Sequence, residues 1–125
     1  MFGRDPPGPA WQAGAVQIAS VAVSGVPDPL PEGLPVLDVR EPHEWEHGHI
    51  PGALHIPMGE LPERLDEVPT DQTLVVCKVG ARSMQAVQWL TMHGREVVNL
   101  SGGMLDWEAA GRPMVSQNGD APRVV

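Results

Sequence analysis

Cys77 heads a segment in which several chemical features meet: Cys77-Lys78-Val79-Gly80-Ala81-Arg82-Ser83. A thiol attacks as its thiolate, and thiolates form readily where positive charge and free amide hydrogens gather. Lys78 and Arg82 bring the charge. A loop that feeds a helix brings the amides, because the first N–H groups of a helix have no partner inside it. Gly80 can take the positive φ that a tight loop often demands, and it lets backbone approach closely. Ser83 could turn its hydroxyl toward the loop or cap the helix, and capping is the simpler expectation. The chemistry such a segment could run is nucleophilic, with Cys77 attacking a sulfur donor. A plainer reading fits the same residues: a cysteine after two valines is often a small buried hydrophobe. At this level both readings stand.

The reactive reading needs Cys77 between a strand and a helix. Thr73-Leu74-Val75-Val76 is the clearest central strand of the chain. Ser83 to His93 reads as a helix with Met84, Val87 and Leu90 on one face and Gly94 as its stop. Upstream, Val36 to Val39 is a short apolar run after a proline and reads as a buried strand. Pro42 suits the first turn of a short helix, Glu41, Glu44 and Glu46 suit its positive end, and Gly48 closes it. Leu54 to Ile56 is a brief strand after the Ile50-Pro51-Gly52-Ala53 turn. Leu61, Leu65 and Val68 recur at helical spacing, which predicts a helix over 59–67 despite Pro62. Val97 to Leu100 is another strand, and Met104 to Ala110 a last helix stopped by Gly111 and Pro113. Val16 and Ile18, then Val21 and Val23, predict a first strand that changes phase near Ser20. Strands alternating with helices imply an α/β domain with a mostly parallel sheet, whose sites lie at the carboxyl ends of strands. Cys77 falls at such an end.

The 125 residues suffice for one domain, read as a flexible leader over 1–14, a domain over 15–115 and a loose polar tail over 116–125. Sixteen acidic side chains stand against eight basic ones, a net charge of −8, which argues against nucleic acid as a partner. A small anion feels only the local field and is not excluded. A single cysteine rules out an internal disulfide and fits a reducing, cytoplasmic setting. No apolar run is long enough to cross a membrane. Ala10 to Val23 has the small, apolar character of a secretion signal, but Asp5 cancels Arg4, and Gln12 and Gln17 interrupt the run. No internal repeat is visible.

Asp38 and Arg40 close a strand near the same sheet edge as Cys77. They are read first as a structural ion pair that holds loops, and second as a source of positive field. His43, His47, His49 and His55 cluster, but no second cysteine joins them and Gly48 and Pro51 break the helix, so no metal is expected. Trp45, Trp89 and Trp107 fall in predicted helices and are expected to pack. The carboxylates over 41–46 and 60–67 are expected to form solvated faces.

Three stretches together resemble the rhodanese family. Leu37-Asp38-Val39-Arg40-Glu41, then Glu44-Trp45 and His47-Gly48-His49-Ile50-Pro51-Gly52-Ala53, is similar to that family's first signature. Cys77 to Ser83 is similar to its active-site loop. Gly102-Gly103-Met104 with Trp107 and Gly111-Arg112-Pro113 is similar to its closing signature. The resemblance implies a rhodanese-like three-layer domain, with a mostly parallel five-stranded sheet flanked by helices. It implies a thiosulfate sulfurtransferase-like activity in which a persulfide on Cys77 carries the sulfur, with no metal or organic cofactor. Sulfur would come from a donor such as thiosulfate and leave to a thiophilic acceptor such as cyanide or a protein thiol. The cradle of that sulfur maps onto Lys78, Val79, Gly80, Ala81 and Arg82, with Lys78 and Arg82 expected to orient an anionic donor and Ser83 expected in support. Domains of this family also serve as binding or regulatory modules, usually without the cysteine, so a non-enzymatic binding, regulatory or sulfur-relay module for a protein partner is the alternative. Phosphatases of related fold place five residues between cysteine and arginine. Here only four intervene, and Val76 stands where those enzymes usually carry histidine, so sulfur is favoured over phosphate.

Overall fold

The computed structural model describes residues 19–125. The expected leader, the strand residues Val16 and Ile18, and Trp11 lie outside the described residues.

The strands are β1 (Ser20–Ala22), β2 (Val36–Asp38), β3 (Leu54–His55), β4 (Thr73–Val76) and β5 (Val97–Ser101). They form one sheet in the order β1-β5-β4-β2-β3, and every pairing is parallel. The helices are α1 (Pro42–His47), α2 (Ala81–Met92) and α3 (Gly103–Ala109). β4 lies between β5 and β2, and all its residues are buried. A strand covered on both faces reads as an unbroken apolar run, as Thr73 to Val76 does.

Side chains alternate across the sheet. Leu37, Val39, Val75 and Cys77 join the cluster that α2 covers through Ala86, Val87 and Leu90. Val36, Leu74, Val76 and Leu100 join the opposite cluster, covered by Met104 and Trp107 of α3. Because all strands run one way, their carboxyl ends share one edge, and Arg40, Cys77 and Gly102 follow three of those ends.

Four expectations need correction. The predicted helix over 59–67 is two 3-10 turns, Met58–Glu60 and Leu65–Glu67. Pro62 offers no N–H to an α-helical ladder, and the Arg64 amide splits between the carbonyls of Glu60 and Leu61. Leu61 and Val68 reach the core all the same. Next, α2 begins at Ala81 rather than Ser83, because Gly80 takes the left-handed cap at φ 102°. Its buried face is Ser83, Ala86, Val87 and Leu90, an i, i+3, i+4, i+7 stripe that leaves Met84 exposed.

The tail over 116–125 is not loose. The amides of Gln117 and Arg123 donate to the carbonyls of Glu46 and His47, each at 2.9 Å, and Val124 packs on the core. These are last-turn carbonyls of α1, which have no partner inside their own helix. A Cβ on Gly48 would meet the Arg123 carbonyl at 2.5 Å, so a larger residue there would push the tail away. Finally, Glu44 does not belong to a solvated face: it is buried.

Candidate active site

The loop after β4 turns its backbone inside out around one atom. The amide of Gly80 donates to Cys77 Sγ at 3.1 Å, and the amides of Val79 and Ser83 also act on that sulfur. The carbonyls face the other way. Those of Cys77 and Lys78 accept from the amides of Met104 and Leu105 at 2.8 and 3.0 Å, at the start of α3. With the carbonyls held outward, the N–H groups converge inward. Two glycines allow this. Gly80 adopts its positive φ where a Cβ would meet the Gly102 nitrogen at 3.1 Å, and a Cβ on Gly103 would strike the Cys77 and Lys78 carbonyls at 2.5 Å.

Cys77 is fully covered, at 0% exposure, and packs with Val75 and Leu37. Burial alone would push its thiol up. The hydrogen bonds from the Ser83 hydroxyl and from the Ser83, Gly80 and Val79 amides outweigh it and hold the thiol below its usual range. One residue thus combines full burial in an apolar layer with backbone amides directed at its sulfur.

Ser83 does not cap α2. No side chain caps that helix, and Ser83 is fully buried in its first turn. Its hydroxyl lies 3.3 Å from Cys77 Sγ and also contacts the side-chain amide of Asn99 on β5. A hydroxyl has one hydrogen to give. With Asn99 Oδ1 toward Ser83, that hydrogen is contested and Asn99 Nδ2 is left buried without a partner among the described residues. Rotating the amide, an assignment made from hydrogen-bond logic, lets Nδ2 donate to Ser83 and frees the Ser83 hydrogen for the sulfur. Sequence reading missed Asn99. Its signal was a lone polar side chain inside the apolar run Val97 to Leu100.

Arg82 lies near the sulfur, but its charge is already matched. Its Nη1 and Nη2 donate to Glu44 Oε1 and Oε2, both at 2.8 Å. That contact holds the Glu44 carboxyl down to about 2 against the opposing effect of burial, with the Glu41 amide and Arg40 helping. Glu44 Oε1 also accepts the Glu41 amide at 3.0 Å, closing a capping box at the start of α1. The i, i+3 spacing of Glu41 and Glu44 was the sequence signal for this role. Hydrogen bonds to the sulfur are thus the leading influences that lower the thiol, and Arg82, though paired with Glu44, also interacts with it through its charge. Lys78 is part-exposed, Val79 is 53% exposed at the tip, and Ala81 opens α2.

The family model for the rhodanese-like domain matches residues 25–110. This chain belongs to the rhodanese-like domain family. It is 41% identical over 90 residues to a sulfurtransferase of Allochromatium vinosum, spanning 70% of this chain and 84% of that one. The fold matches a rhodanese-related protein of Thermoplasma volcanium with TM-score 0.72 and 34% identity, covering 78% of this chain and 97% of that one. It also matches a thiosulfate sulfurtransferase of Pseudomonas aeruginosa with TM-score 0.64 and 25% identity, over 86% of this chain and 22% of that larger one.

In this rhodanese-like domain, Asp38 and Arg40 form a buried ion pair. Both are fully covered, with Arg40 Nη2 2.7 Å from Asp38 Oδ2 and Nε bonded to both carboxylate oxygens. Arg40 Nη2 also donates to the Gly48 carbonyl at 2.7 Å, tying β2 to the end of α1. The histidines serve the same scaffold. His49 and His55 stack on Trp45, and His55 Nε2 bonds the Arg40 carbonyl at 2.7 Å. A surface cavity of about 210 Å³ beside Trp107 and Arg112 lies by the other core cluster, away from Cys77. Arg112 there is tied to the carbonyls of Val26 and Pro27 and stacked on Trp107, so it holds the segment after β1 against α3. Among the described residues no helix is long and apolar enough to cross a membrane.

Proposed function

We propose that this chain is a sulfurtransferase whose Cys77 accepts a sulfane sulfur as a persulfide and passes it to a thiophilic acceptor. The observation that carries this reading is the set of amides from Val79, Gly80 and Ser83, with the Ser83 hydroxyl, all directed at one buried sulfur. A seat of that kind stabilises the attacking thiolate before transfer and the persulfide anion after it. The loop from Lys78 to Arg82 is the cradle, and Asp38 and Arg40 brace the neighbouring turn. The sulfurtransferase names of the relatives point the same way. A thiol that must return reduced after each turnover suits a reducing compartment such as the cytoplasm.

Thiosulfate as donor and cyanide as acceptor supply the test. In the loading step Sγ attacks the outer sulfur of thiosulfate, a new S–S bond forms, and sulfite leaves with the electron pair of the old one. Cyanide then removes the sulfur as thiocyanate and regenerates the thiolate. Intact mass after incubation with thiosulfate is expected to rise by one sulfur atom and to fall back on adding cyanide. Cys77→Ser is expected to show no gain and no thiocyanate production while keeping the fold. Absence of loading from thiosulfate and from a persulfide donor alike would favour a binding module instead.

A further inference from the structure

The charged groups linked to the Cys77 loop include Lys78 and Arg82 on it, Glu44 and Glu41 facing Arg82, and the Arg40–Asp38 pair near Glu44. Arg40 is bound to Asp38 inside the protein. Arg82 is clamped through both terminal nitrogens by Glu44, a carboxylate 8% exposed against 37% for its partner. Glu44 cannot swing aside freely, because the same carboxylate accepts the Glu41 amide in the capping box of α1. Glu41, exposed beside them, adds its own negative charge to the field at Arg82. The charge of Arg82 is therefore matched in place, while Lys78 stays part-exposed on the loop. Two exposed apolar side chains also stand there: Val79 at the tip, and Leu105, whose amide holds the Lys78 carbonyl.

Sulfur donors differ in the charge they bring. Thiosulfate is a dianion, whereas a persulfide on a thiol carries at most one charge at its reacting end. We propose that Glu44 is a specificity-determining residue, which by neutralising Arg82 turns the site away from dianionic donors and toward sulfane sulfur held on a thiol. The proposal rests on the reading of Cys77 as a persulfide carrier. In the favoured step the Cys77 thiolate attacks the outer sulfur of R–S–SH. The Sγ–S bond forms, the donor S–S bond breaks, and the electron pair leaves on R–S⁻, with the proton remaining on the transferred sulfur. The sulfane sulfur changes carrier and nothing external is oxidised or reduced.

The test compares kcat/KM for thiosulfate and for glutathione persulfide, with cyanide as common acceptor. The wild-type protein is expected to favour the persulfide, and its thiosulfate rate is expected to depend weakly on salt, since a neutral pair exerts little long-range pull. Glu44→Gln keeps the acceptor for the Glu41 amide but frees the charge of Arg82. It is expected to move the donor ratio about tenfold toward thiosulfate, the order of effect of one unit charge at a part-buried site, and to make the thiosulfate rate fall steeply with salt. Adding Arg82→Gln in the double variant is expected to restore the wild-type ratio. An unchanged ratio in Glu44→Gln, or a double variant that behaves like the single one, overturns the proposal. So does a steep salt dependence in the wild-type protein, a result that needs no variant. Failure of both donors to load the wild-type protein would instead overturn the carrier reading itself.

Discussion

Two turns stand at the carboxyl edge of the sheet and are built from opposite materials. After β4, the turn carrying Cys77 is built from backbone: amides face inward to Sγ and carbonyls face outward to α3. After β2, the turn carrying Arg40 is built from side chains: a buried guanidinium closes on Asp38 and on the Gly48 carbonyl. The first arrangement leaves unmatched positive dipoles that act on the sulfur. The second pairs its charge within the turn, supplying shape and only a small residual field, felt at Glu44. The lesson is that charged residues near a reactive group do not by themselves make a field there. What matters is which of them lack a partner.

The largest effect is expected on the side-chain turn. Asp38→Ala would leave Arg40 buried without its counter-ion, and breaking such a pair costs about 3–5 kcal/mol. Urea denaturation is expected to show a much lower midpoint with an unchanged slope. A loss below about 1 kcal/mol would mean that Arg40 reaches water and that the two turns are not held by different means.

The backbone turn should respond in reactivity instead. Because the thiol is held below its usual range, wild-type Cys77 is expected to be alkylated at lower pH than a free cysteine. Ser83→Ala removes the hydroxyl donor, so the alkylation curve is expected to move to higher pH. At neutral pH the rate should fall about tenfold, the order of one hydrogen bond to a charged group. Asn99→Ala is expected to move the curve the same way and less far. If neither variant moves it, the Ser83 hydrogen is given to Asn99 and the amides act alone.

A smaller effect is expected in acid. The Glu44 carboxyl titrates near 2 in the fold against about 4.5 unperturbed, so its ionisation stabilises the protein above that ordinary value. The contribution is lost as pH falls from about 4.5 through about 2. Glu44→Gln is expected to flatten the stability profile in that window, and an unflattened profile would show the clamp to be energetically idle.

The smallest effect is expected far from both turns. Arg64 bonds Glu60 and Glu67 with good geometry but on exposed side chains, where water competes. Arg64→Ala is expected to leave the denaturation midpoint unchanged. A large shift there would undo the distinction between buried and exposed pairs on which the comparison depends.

Several parts of this architecture were legible in the residues. Thr73 to Val76 announced a strand buried on both faces, and Gly80 announced the sharp turn beneath the helix start. The ends of α1 were legible too, from Pro42 and Gly48. Other parts were not. The segment over 59–67 carried a helical stripe, yet Pro62 withholds the amide that a continuous ladder would use. The tail over 116–125 looked polar and free because its partners, the carbonyls of Glu46 and His47, lie some seventy residues earlier in the chain. Glu44 looked solvated because its partner, Arg82, is 38 residues away.

By itself the sequence determined the alternation of strands and helices, the place of Cys77 at a strand end, and the glycines that permit its loop. These follow from local backbone preferences and from apolar periodicity, which act between near neighbours. Only the tertiary structure decided which charges cancel, that Ser83 faces the sulfur and Asn99, and that α3 holds the loop carbonyls outward. Those outcomes depend on strands and helices meeting in space, and no spacing along the chain records which polar group will find which partner.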